Sequence, residues 1–135
     1  MRRIDCDSIP HLVNCFCRLL GVRGHTFFAR LSAYWWGIVL GSDCTFAGQP
    51  CFRRHPESRI SISASCKFNS SPTSNLIGVN RPCIIATLRK GAEIQIGPGC
   101  GFSGTIIGCG IKIVLGENVR CSANTLITDT DWHIE

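Results

Sequence analysis

Across the second half of the chain, one position in six belongs to a single series. Read backwards from His133 it runs Ile127, Cys121, Leu115 and Cys109, takes one step of seven to Phe102, then continues Ile96, Lys90 and Ile84. A second series sits two residues earlier: Asp131, Thr125, Val119 and Ile113, then Cys100, Ile94 and Leu88. Most members are apolar or small. Six is neither the helical period nor the plain strand period. A six-residue repeat is the pattern of a parallel β-helix, in which each coil adds a layer to one shared core. Gly91, Gly97, Gly99, Gly101, Gly104, Gly108, Gly110 and Gly116 punctuate the run where a coil must turn a corner.

Upstream the same grammar is looser. Trp35 to Gly41 reads as a first strand, and Cys44, Phe46, Gly48, Ile60, Ile62, Cys66 and Phe68 continue short strands. Arg53 to Arg59 and Ser70 to Arg81 read as loops. Before them, Ile9, Leu12, Val13, Phe16, Leu19 and Leu20 recur at helical spacing. Ser8 is placed as an N-cap, Pro10 in the first turn and Gly21 as a stop. The expected organisation is a helical cap over residues 1–34 and a β-helix over residues 35–135, incomplete at its C-terminal end. The short amphipathic helix is expected to cover the open end of the core. A weak contact with a membrane surface, through Arg18 and Arg23, is its alternative use.

Composition narrows the field. The chain has 135 residues, 44% hydrophobic and only 17% charged, with a net charge of +5, which suits one domain that buries surface against copies of itself. The basic residues are not interleaved with stacking aromatics, so no nucleic acid is expected as a partner; anionic ligands fit better. Ten cysteines include no Cys-x-x-Cys pair, so neither a zinc ribbon nor any other metal site is expected. They read as small core residues of a reduced, cytoplasmic protein. Asp5 and Asp7 follow Arg2 and Arg3 at once, unlike a secretory leader.

The repeat breaks its own rule at Thr128 to Ile134, where a rung becomes His133 and a small inward position becomes Asp131. Ionisable groups that interrupt a regular scaffold mark the place to look for chemistry. An imidazole exchanges protons near neutral pH and suits a general base. Asp131, two residues away in extended chain, is expected to orient it. Asp129 could do the same or bind acceptor hydroxyls. Trp132 should point the other way and offer a flat surface to a sugar ring or a neighbouring subunit. Asn124 lies at a corner and reads first as a turn residue.

Ile96 to Gly104, Leu115 to Val119 and Ala123 to His133 together resemble the hexapeptide-repeat acyltransferases. Within them the chain is most similar to the O-acetyltransferases of sugars and surface polysaccharides, related to the maltose and galactoside acetyltransferases. The resemblance covers residues 82–135. It implies an all-β, left-handed parallel β-helix that assembles as a homotrimer, with acetyl-CoA bound in clefts between subunits. It also implies that His133 is the catalytic base and that a sugar or glycan hydroxyl is the acceptor. The family's acceptor-binding Asn falls on Ser103 and its Asp on Ile111. Members of the family continue for several coils beyond the His, so by that standard the chain is C-terminally truncated at Glu135.

The function expected is therefore acetyl transfer from acetyl-CoA to a sugar or polysaccharide-precursor hydroxyl, in one step, without a covalent enzyme intermediate. The alternative is an inactive, truncated β-helix that serves only as an oligomerisation module. A β-helical carbonic anhydrase would need three metal-binding histidines on the coils, and only His133 lies on the repeat.

Overall fold

A computed structural model describes residues 6–133. Arg2, Arg3, Asp5, Ile134 and Glu135, used above, lie outside the described residues. Helix α1 spans Ile9–Trp35. Eleven strands follow: β1 Val39–Leu40, β2 Thr45–Ala47, β3 Cys51–Arg53, β4 Arg59–Ile62, β5 Lys67–Asn69, β6 Ile84–Thr87, β7 Glu93–Ile96, β8 Gly101–Ser103, β9 Ile106–Cys109, β10 Lys112–Leu115 and β11 Leu126–Thr128.

The strands are dealt in rotation to three parallel sheets, ordered β1-β4-β7-β10, β2-β5-β8 and β11-β9-β6-β3. Each strand therefore bonds to a strand from an adjoining round of the chain, not to its sequence neighbours, and β4, β5, β6, β7 and β9 bond to one on either side. Register is held by apolar rows. Ile60 pairs with Ile94 and Ile94 with Ile113, and Ile62 pairs with Ile96 and Ile96 with Leu115. Phe52, Ile85, Ile107 and Ile127 make another row. Phe46, Phe68 and Phe102 stack face to face, with ring centroids 4.9 and 5.1 Å apart. Phe46 also meets Phe52 edge-on at 6.2 Å, which joins two sheets into one core. Outward positions carry ion pairs as well as exposed apolar residues such as Val39, Val114 and Leu126: Lys112 pairs with Glu93 on the adjacent strand at 3.3 Å.

A column of thiols runs beside the rings. Cys44, Cys66 and Cys100 are each fully buried, and each donates to a backbone oxygen of another round: Ser63, Gly97 and Gly116 respectively. Burial pushes the Cys66 thiol up to about 11. All ten cysteines are free.

Close stacking explains glycine where no special dihedral does. A Cβ on Gly97 would sit 2.6 Å from the carbonyl carbon of Gly116 in the round above. Gly97→Ala is expected to cost about 1–3 kcal/mol, as overpacking does, read as a lower urea midpoint. Corners that need left-handed backbone are taken by Asp43, Ser65 and Asn118 as well as Gly99. These four immediately precede the inward residues Cys44, Cys66, Val119 and Cys100. Asp and Asn reach this region at low cost.

The expectation of an all-β, left-handed parallel β-helix with a short helix is corrected. Among the described residues, a 27-residue helix is combined with eleven strands of two to four residues in three open parallel sheets. A six-residue period says which residues share a row and carries no handedness; that had come from the resemblance. The helix also runs through Gly21 and Gly24, past the expected stop, and takes in Trp35, so the first strand starts only at Val39. An interior glycine costs about 1 kcal/mol in a helix, and tertiary contacts at the C-terminal half offset it. There Thr26 accepts from the Phe46 N–H and Arg30 donates to the Gly41 carbonyl. The apolar residues expected to close the core do not face it: Leu12, Phe16 and Leu20 are about half exposed or more. Ala29 and Ala33 make the buried contact instead.

Candidate active site

The last described segment is built on β11. This strand lies on β9, with Ile127 opposite Ile107 and Thr128 opposite Gly108. Immediately after it, Asp129 folds its carboxylate over the turn between β9 and β10. It accepts from the backbone N–H of Gly110 at 2.6 Å, Ile111 at 2.8 Å and Lys112 at 2.7 Å. Three converging N–H groups make an anion nest, here filled by a side chain. Partial burial pushes this carboxyl up, but the three backbone donors outweigh it and hold it below the ordinary carboxylate range.

The sign follows from that depression. The clamp contributes fully above the unfolded carboxyl's ordinary value and is lost as pH falls through the lower folded value. Amide protection at Gly110, Ile111 and Lys112 is therefore expected to collapse in strong acid. In Asp129→Ala it should already be weakened at neutral pH, by about 1–2 kcal/mol, the scale of a lost cap. Hydrogen exchange at these three amides is the measurement.

Beyond the clamp the chain advances by side-chain-to-backbone bonds two residues long. The Thr130 N–H donates to Thr128 Oγ1, the Trp132 N–H to Thr130 Oγ1, and the His133 N–H to Asp131 Oδ1 at 3.1 Å. Such local bonds are what Thr and Asp offer a chain that has left a sheet. The bond from Asp131 fixes the backbone of His133 rather than its ring. Trp132 has φ of +65°, costly for a bulky side chain. Its ring lies over Gly108, where any Cβ would collide with it. Asp131, Trp132 and His133 are all exposed.

Ser103 and Asn124 belong to another corner, at the opposite end of β11. Ser103 is buried, and its Oγ accepts from the Asn69 and Asn75 side-chain amides. Asn124 sits in the left-handed region, accepts from the Asn80 N–H at 3.0 Å and donates its own N–H to the Ser103 carbonyl at 2.8 Å. Arg81 donates to the Gly104 and Asn124 carbonyls. Together these residues latch the loop of residues 70–82 to the stack. The sequence singled out Ser103 and Asn124 but missed Arg81, Asn69, Asn75 and Asn80. Polar side chains that bond to distant backbone leave no periodic trace.

The structure thus gathers Asp129, Asp131, Trp132 and His133 on one short segment and holds Ser103 and Asn124 apart. Ile111, which the resemblance set against an acceptor-binding Asp, is 69% exposed and has no polar side-chain group. Among the described residues, no group of three His, Cys, Asp or Glu could hold a metal ion, and no helix is long and apolar enough to cross a membrane. No family model, curated protein or solved structure matches the chain.

Proposed function

We propose that the chain transfers an acetyl group from acetyl-CoA to a hydroxyl of a sugar or polysaccharide precursor. The observation that supports this most directly is the exposed imidazole at the end of a pinned segment. Asp129 anchors that segment to the turn below, and Asp131 holds the backbone of His133.

In this reading His133 takes the proton of the acceptor hydroxyl as its oxygen attacks the thioester carbonyl. The new C–O bond forms, the C–S bond breaks, and the imidazolium returns its proton to the leaving thiolate. One group acts as base and then acid, so atoms and charge balance without a covalent enzyme intermediate. Binding both substrates side by side supplies the rest of the acceleration. Trp132, flat and half exposed, is the surface for the pyranose ring. Its left-handed backbone is the kind of local strain that collects at functional sites. The resemblance of the repeat also supports a trimer with shared acetyl-CoA clefts.

The test is thiol release from acetyl-CoA by the full chain, with and without a panel of pyranoside acceptors. Release that depends on acceptor is expected. Absence of any acceptor-dependent release across the panel would remove the reading and leave the chain as an oligomerisation module.

A further inference from the structure

Helix α1 wears its apolar side outward. Ile9, Val13, Phe16, Leu20, Phe27 and Leu31 recur at steps of three, four and seven, which places them within a single arc of roughly 60° at about 100° per residue. All six are 49–62% exposed. They form one stripe about 33 Å long at about 1.5 Å per residue, while buried Ala29 and Ala33 occupy the side toward the sheets. Isolated exposed leucines are ordinary, but a continuous stripe calls for an occupant.

Charge decides which occupant. Between Ile9 and Trp35 the helix carries Arg18, Arg23 and Arg30 and no Asp or Glu. A second copy laid along it would bring like charges together. Arg18 donates to the Ser74 carbonyl and Arg30 to the Gly41 carbonyl, which leaves Arg23 as the guanidinium that an anionic bilayer would meet with phosphate while its acyl chains cover the stripe. Arg23, exposed and nearest the stripe, can lay its stem among the apolar side chains and keep its charge at head-group level. Tyr34 and Trp35, 87% and 84% exposed, end the helix with residues that favour the membrane–water boundary. Spanning is excluded by the arginines and by the helix's hydropathy. We infer that α1 is an interfacial anchor that lies flat on an anionic lipid surface. The inference does not depend on acyl transfer.

The experiment is sedimentation of the full chain with vesicles of phosphatidylcholine alone or mixed equally with phosphatidylglycerol. Binding to the mixed vesicles is expected to be at least tenfold tighter. The double variant Phe16→Glu/Phe27→Glu should lose at least tenfold, while Val114→Glu, an exposed position on β10, should lose nothing. Quenching of wild-type emission by brominated acyl chains, reduced in Trp35→Phe, gives a second readout that does not depend on the double variant folding. No binding to mixed vesicles, equal binding by the double variant, or no quenching of wild-type emission overturns the anchor. A stable oligomer that shields Phe16 and ignores vesicles overturns it too, and assigns the stripe to a second copy.

Discussion

Replacing Phe68 with alanine is expected to lower stability by about 3–5 kcal/mol, the range for a fully buried aromatic. Phe68 is the middle of three stacked rings, with Phe46 4.9 Å on one side and Phe102 5.1 Å on the other. The neighbours cannot slide in to fill the gap. Lys67 and Asn69, on either side of Phe68, are paired to β2 in one direction and β8 in the other. The cavity therefore persists, and both outer rings lose a stacking face. Against a total stability of about 5–15 kcal/mol for a domain, that loss removes a large share. Urea denaturation followed by far-UV circular dichroism measures it. Tyr34→Ala, at a residue 87% exposed, should change the same quantity by no more than about 0.5 kcal/mol. Equal effects from the two would mean the ring column is not the centre of the core.

The second large effect concerns His133. If it is the base of an acetyl transfer, His133→Ala should reduce kcat by roughly 10²–10⁴-fold, the usual contribution of a positioned proton acceptor. KM for acetyl-CoA should change little, because the ring acts on the acceptor hydroxyl and not on the nucleotide. Added imidazole should restore part of the lost rate, since the deletion leaves room on an already exposed segment. A merely structural histidine would show no such rescue. Turnover unchanged in the variant would sink the assignment outright.

The rows of the core were legible wherever the period ran unbroken. Ile96, Phe102, Cys109, Leu115, Cys121 and Ile127 all fall in or against the core, as the six-residue series requires. The series fails at its far end. Lys90 is exposed and pairs with Glu57 at 2.9 Å, and in β6 Ile84 is only partly buried while Ile85, Ala86 and Thr87 are buried. A period fixes the inward face only within its own run, and a one-residue shift turns every side chain over. The loop of residues 70–82 and the turn at Gly91 reset the phase. Corner residues were half legible. Glycines stood out, while Asp43, Ser65 and Asn118 do the same work without looking unusual.

The helix was legible as a helix but not in its length or its facing. Spacing shows that an apolar stripe exists; it does not say which side the protein takes. The same limit applies to the candidate site. The ladder led to Asp131 and His133, but the clamp made by Asp129 depends on three N–H groups of a turn that no side-chain pattern records. Ser103, set by the resemblance against an acceptor-binding Asn, is buried and accepts from asparagines that come from a loop and another round, partners that no periodic pattern records.

Cys44, Cys66 and Cys100 give the molecule a built-in reporter of its own opening. An alkylating reagent attacks thiolates, and these thiols are both shut away and, at Cys44 and Cys66, held protonated by their burial. Cys6, Cys15 and Cys17 stand in solvent and answer at once. Modification therefore arrives in two waves, and the second keeps time with the parting of the layers rather than with anything that happens on the outside.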